Sequence, residues 1–166
     1  MRTEDDPRRL RALLPLDGGH RQRDGLRVLG LNRKERTHMA DRLSIEVEEL
    51  PMHSQPFPVA TRKGNTIFSS AISGFSAESK SVPDDAAEQI RNAFANVKTI
   101  VEAAGGTVED ICKVQCFLAD REMRPLVNEE WVRLFPDETS RPVRHTVGGP
   151  LPNNYVIQLE FVAVTD

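Results

Sequence analysis

Arg141-Pro142-Val143-Arg144-His145-Thr146-Val147, followed eight residues later by the run 155–164 (Tyr155-Val156-Ile157-Gln158-Leu159-Glu160-Phe161-Val162-Ala163-Val164), decides how the chain folds. Both segments read as strands, joined by the loop 148–154, and the second is taken as the partner strand of the first. Side chains alternate across a strand, so Pro142, Arg144 and Thr146 point one way and Val143, His145 and Val147 the other. Arg144 is thus a fixed cation among residues that otherwise look like core, and it does not share a site with His145. Taken alone, Arg144 reads as a surface or interface ion pair and His145 as a structural residue.

Working outward, the 166 residues allow one domain with a sizeable core. Hydrophobic and charged fractions of 39% and 28% are those of an ordinary globular chain, which excludes collagen-like and coiled-coil classes. No apolar run approaches the ~20 residues of a membrane helix. A formal charge of −3 argues against nucleic acid as the main partner.

The charge is unevenly placed. Residues 1–38 hold ten Lys or Arg against six acids, a local +4 that leaves −7 for the remainder. The apolar cluster at 10–16 is interrupted by Arg11 and is too short for a secretory core, and the early acids fit a transit peptide poorly. Residues 1–40 are therefore expected to be a disordered basic tail or an over-extended reading of the start codon, since Met39-Ala40-Asp41 makes a reasonable N-terminus. A basic arm touching an anionic surface is the sharper alternative. Residues 41–166 are expected to form a single domain.

Short alternating runs predict strands at 44–47, 57–62 and 66–70, the last two around the turn signal Lys63-Gly64-Asn65. Pro51, Pro56 and Pro58 keep the preceding connection extended. Residues 69–81 read as a loop. A helix begins at Asp84-Asp85, carries Ile90, Phe94, Val97, Val101 and Ala104 on one face, and stops at Gly105-Gly106. Thr107-Val108-Glu109-Asp110 resembles a capping box before a strand from Ile111. A second helix has Asp120 as cap, Pro125 in its first turn, Val127, Trp131, Leu134 and Phe135 facing inward, and Pro136 as its end. Asn128, one turn before Trp131, reads by itself as a solvated helix residue.

Cys112 and Cys116 fall on one strand face roughly 13 Å apart at about 3.3 Å per residue, beyond the ~7 Å limit for a disulfide. They read as two buried, inert thiols in a reducing cytosol. The histidines show no metal-ligand spacing. The element order predicts an α+β fold: a mixed sheet with both helices packed on one face. The other face then meets water or another subunit, and the apolar terminal strand favours self-association.

Gly64-Asn65, Val101-Glu102-Ala103-Ala104-Gly105-Gly106, Phe117-Leu118-Ala119-Asp120, Val127-Asn128-Glu129, Arg141-Pro142-Val143-Arg144 and Ile157-Gln158-Leu159-Glu160 together resemble the RidA (YjgF) family of enamine/imine deaminases. The match spans about residues 44–166 and is specific as a set. It implies a chorismate-mutase-like fold, a homotrimer whose sheets line a central barrel, and clefts between subunits. The implied activity is hydrolysis of 2-aminoacrylate-type imino acids to 2-keto acids and ammonia in the cytoplasm, with no metal or cofactor, no nucleic acid and no membrane. Arg144 would bind the substrate carboxylate, since a guanidinium offers it two parallel hydrogen bonds at any cellular pH. Asn128, the Thr146 backbone and Phe57 would line the cleft.

Two departures bear on the chemistry. The family's usual glutamate falls on Gln158, whose amide cannot take a proton but can orient a water through its carbonyl. Its usual tyrosine falls on Phe57, which keeps an apolar wall without a hydroxyl. His145 beside the arginine and the Gly148-Gly149-Pro150 loop are also unusual for the family. Three readings stay open: a deaminase with Arg144 and Gln158 as its catalytic pair, a non-catalytic trimer binding small carboxylates or proteins, and a ribonuclease or translation inhibitor.

Overall fold

The computed structural model describes residues 42–50 and 56–166. The expectations for residues 1–40 and for Pro51 lie outside the described residues. Among these, the elements in chain order are β1 (Arg42–Ile45), β2 (Ala60–Lys63), β3 (Thr66–Ser69), β4 (Ile72–Ser73), α1 (Ala86–Ala103), β5 (Ile111–Leu118), α2 (Arg124–Leu134), β6 (Val143–Gly148) and β7 (Ile157–Val164). Single 3₁₀ turns at Val108–Asp110 and Arg121–Met123 precede β5 and α2.

The sheet runs β1-β2-β3-β7-β5-β6, with β4 also on β7. Only β5 and β6 pair in parallel; the other pairs are antiparallel. This corrects one expectation, because β6 and β7 are not partners. A crossover through α2 returns the chain parallel to β5, so β5 lies between the two and pairs with both. The predicted loop 69–81 also contains β4, whose Ile72 and Ser73 pair with Leu159 and Gln158. Two residues are too few to show an alternation. The first strand starts at Arg42 rather than Ser44, in register with β2, and β2 starts at Ala60, beyond Pro58 with its missing donor.

Register and burial sort the side chains into two faces. Ile157, Leu159, Phe161 and Ala163 of β7 and Val114, Cys116 and Leu118 of β5 are buried under the helices. They meet the α1 stripe of Ile90, Ala93, Phe94, Val97, Ile100 and Val101 and α2 residues Val127 and Trp131. The opposite face carries Lys113, Gln115 and Phe117 of β5 with Gln158, Glu160 and Val162 of β7. Phe68 and Val143 stand exposed there, and a hollow of about 130 Å³ lies among Phe68, Lys113, Gln115, Glu160 and Val162. The two cysteines part at a β-bulge. Ile111 pairs with Ala163 and Lys113 with Val162, so Cys112 is the extra residue. Cys112 is therefore exposed and only Cys116 is buried, against the expectation of two buried thiols.

Local signals explain the helix ends. Asp85 Oδ1 accepts a hydrogen bond from the Glu88 amide at 2.7 Å, and Thr107 and Asp110 form the expected capping box. At the other end Gly105 takes φ 78°, while the Gly105 and Gly106 amides donate to Glu102 and Val101 carbonyls, the pattern of a Schellman stop. Asp120 caps the 3₁₀ turn rather than α2, which starts at Arg124 with no side-chain cap.

One buried amide ties α1 to the approach to β7. Gln89 is fully buried; its Nε2 donates to Pro83 O at 2.7 Å and Asn154 O at 3.0 Å, and its Oε1 accepts from Val156 N at 3.0 Å. Gly74 lies so close that a Cβ on it would fall 2.2 Å from Gln89 O. Gln89→Leu leaves three backbone groups unmatched and is expected to lower unfolding free energy by about 2–4 kcal/mol, read from urea titrations.

Candidate functional site

Arg144 lies on β6, an edge strand, and pairs with the buried Val114 of β5, which puts its side chain on the helix side. Thr146 shares that side opposite Cys116, whereas His145 pairs with Gln115 on the open face. The separation of Arg144 from His145 therefore follows the strand alternation.

The helix α2 packs along this edge. Asn128 and Trp131 are three residues apart and face the same way. Arg144 Nη2 donates to Asn128 Oδ1 at 2.8 Å, and its Cζ sits 4.8 Å from the centre of the Trp131 ring. Trp131 is itself held against Phe135, with ring centres 4.6 Å apart. A cation over an indole gains roughly 0.5–2 kcal/mol, depending on how dry the contact is. Among the described residues no carboxylate lies within 4.0 Å of Arg144. The guanidinium is oriented by an amide and an aromatic face, and it keeps exposed donors for a planar anion.

Beneath it lies Cys116, fully buried between β6 and β7. Burial pushes its thiol from 9.0 up to about 11, against the opposing charges of Arg144 and Arg124 and a hydrogen bond from the Thr146 side chain. At neutral pH it is a protonated thiol and a poor nucleophile.

The structure brings Arg144, Asn128 and Thr146 together and leaves the other two candidates apart. Gln158 pairs with Phe117 and Ser73 on the open face, two strands from β6. Phe57 is half-exposed just before β2, four strand spacings or about 19 Å from β6 at ~4.8 Å each. Neither reaches Arg144 within one chain. Trp131 was legible only as core; its place one turn after Asn128 was the signal that it faces the arginine. Among the described residues no three His, Cys, Asp or Glu side chains gather as a metal-ligand set, and no helix is long and apolar enough to cross a membrane.

A mixed sheet with two helices on one face and an oriented arginine at its edge defines a RidA-type α+β protein. The model of the family described as Endoribonuclease L-PSP matches residues 41–165, and the chain belongs to that family, which includes the RidA (YjgF) proteins. It is 33% identical over 123 residues to a 2-iminobutanoate/2-iminopropanoate deaminase of Escherichia coli K12, covering 73% of this chain and 96% of that protein. The crystal structure of the YjgF gene product of E. coli is similar with a TM-score of 0.68 and 32% identity, over 75% of this chain and 99% of that one. E. coli TdcF with bound serine matches with a TM-score of 0.69 and 28% identity, over 75% and 99% respectively.

The thiols supply two expectations. A maleimide at pH 7 should label Cys112 and spare Cys116 until the protein unfolds, as peptide mass spectrometry would show. Because the folded state raises the Cys116 pKa, its contribution to stability is complete below pH about 9 and is lost as pH rises through about 11. Urea midpoints should accordingly fall more steeply between these values for the wild type than for Cys116→Ala.

Proposed function

We propose that the protein hydrolyses 2-imino acids and their enamine tautomers to 2-keto acids and ammonia, as a homotrimer whose clefts combine residues of two copies. The observation that carries this reading is the Arg144 guanidinium, fixed by Asn128 and Trp131 and lacking an acidic partner among the described residues. A 2-imino acid presents the planar carboxylate that such a fork accepts. Relatives named as deaminases of 2-iminobutanoate and 2-iminopropanoate support it, as does the bound serine of TdcF, which also bears an α-carboxylate.

With the carboxylate on Arg144, the imine carbon is held beside Thr146. Water adds its oxygen to that carbon and a proton goes to nitrogen; the carbinolamine then expels ammonia as the C–N bond breaks and the carbonyl forms. Gln158 orients the water by accepting its hydrogen bond, without taking the proton. Because Gln158 lies on the opposite face from Arg144 of its own chain, it acts from a second copy. Phe57 enters the cleft in the same way. The exposed Phe68 and Val143 on the open sheet face support such an assembly. The two free thiols accord with a reducing compartment such as the cytoplasm.

A second reading rests on Gln158 itself. An amide where a carboxylate would serve as base favours a trimer that binds small carboxylates without turning them over.

The test generates imino acids in situ with an amino-acid oxidase and follows their loss. Wild type should accelerate hydrolysis, Arg144→Ala should lose about 100-fold in kcat/KM, and Asn128→Ala, which only loosens the arginine, should lose less. Gln158→Glu should raise kcat. If no imino acid is hydrolysed faster while 2-keto acids still raise the melting temperature, the binding reading replaces this one. Sedimentation equilibrium should show a trimer, and a strict monomer would overturn the two-copy cleft.

A further inference from the structure

Two more arginines, Arg121 and Arg124, lie at the same sheet edge as Arg144, toward the end of β6 and the start of α2. The crossover from β5 to β6 runs α2 antiparallel to β6, so the helix N-terminus meets the C-terminal end of the strand. Side chains confirm the direction. Asn128 bonds Arg144 near the start of β6, whereas Arg121, just before α2, lies over Gly148 at its end. A Cβ on Gly148 would fall 2.7 Å from Arg121 Nε and 2.8 Å from its Cγ, so the absent side chain makes the space this arginine fills. Arg124 stands four residues before Asn128 and seven before Trp131, a spacing that places all three on one helix face.

Among the described residues no ion pair neutralises this end. Among the described residues the ion pairs engage Arg91, Lys98, Arg133 and Arg141, and none engages Arg121, Arg124 or Arg144. Asp120 and Glu122 flank Arg121 in sequence, but neither forms an ion pair with these arginines; Asp120 accepts from the Glu122 amide at 2.9 Å. The first turn of α2 has no acidic residue, and Met123 gives it no side-chain cap. Two exposed cations therefore stand at the positive end of a helix dipole, where cations are unfavourable and anions favoured. The carboxyl end of the parallel pair β5 and β6 is also where open sheets collect ligands. From Arg144 to Thr146 is two residues, roughly 7 Å at about 3.3 Å per residue, and to Gly148 about twice that. A short diacid anchored on Arg144 extends its far end into this region.

We propose that Arg124, assisted by Arg121, forms a second anion subsite that selects imino acids bearing a carboxylate on their side chain, the imines of acidic amino acids. This specificity rests on the deaminase reading of Arg144. Arg144 takes the α-carboxylate, and the side-chain carboxylate lies against the guanidinium of Arg124, with Arg121 beyond it. A substrate with an apolar side chain leaves those donors to water.

Two measurements on the full chain test it. In the first, imines of glutamate and of 2-aminobutyrate are generated at matched flux by oxidases, and kcat/KM is compared for wild type, Arg124→Gln, Arg121→Gln and Arg124→Lys. Wild type should favour the diacid imine by about tenfold or more. Arg124→Gln should bring the ratio near parity, Arg121→Gln should lower it less, and Arg124→Lys should retain part of it. In the second, calorimetry compares 2-oxoglutarate with 2-oxobutanoate; wild type should bind the diacid more tightly and Arg124→Gln should lose that difference. Hydrolysis of the monoacid imine without a diacid preference overturns the subsite alone. Failure of both imines and both keto acids overturns the subsite together with the deaminase reading. A diacid preference that survives Arg124→Gln and Arg121→Gln together assigns the selectivity elsewhere and also overturns the proposal.

Discussion

The structure depends on the C-terminal strand. Residues Ile157–Val164 hydrogen-bond to β3, β4 and β5, so the last strand made is the one that joins the N-terminal hairpin to the central strand. Its approach is held by Gln89, whose amide bonds Asn154 and Val156 from within the core. Its end is held by Arg62, which donates to Thr165 Oγ1, to the Ala104 and Gly105 carbonyls closing α1, and to Gly64 O in the β2–β3 turn. One guanidinium at the negative end of a helix thus ties three segments distant in sequence. The bonds of Gln89 and those of Arg62 to Ala104 O and Thr165 Oγ1 are half-buried, where an unmatched polar group is costly; the bonds of Arg62 to Gly64 O and Gly105 O are exposed.

Because β7 and β5 alternate strictly beyond the bulge, the sheet has one dry face and one open face. The functional consequence is electrostatic. Arg144 sits on the helix side but at the sheet edge, where its charge stays in contact with water while Trp131 and Asn128 fix its direction. A fully enclosed guanidinium without an acid would be expensive, and a solvated one without a platform would be undirected. The edge strand avoids both.

Much of this was legible in sequence because the periodic signals were strong. The α1 stripe, the Asp85 cap and the Gly105-Gly106 stop stood where the pattern placed them, and the alternation of 143–147 separated Arg144 from His145. The errors fell where pattern is short or broken. β4 has two residues, and the bulge at Cys112 shifts one side chain to solvent without changing composition. Pairing was the larger miss, since a strand's partner is chosen by the crossover geometry and leaves no mark on its own residues. The pairing of Asn128 with Arg144, sixteen residues apart, and the resting of Arg121 on Gly148 were invisible for the same reason.

The sequence by itself determined the residues that carry charge and those that must be buried, because capping, periodicity and side-chain chemistry act over a few neighbouring positions. It determined that Arg144 points away from His145. Only the tertiary structure decided what Arg144 points toward: an indole and an amide on α2, with a thiol beneath and two further arginines along the same edge. Only the sheet order decided that Gln158 lies on the other face of its own chain. Both depend on which strands become neighbours, and that is set by the packing of the whole core.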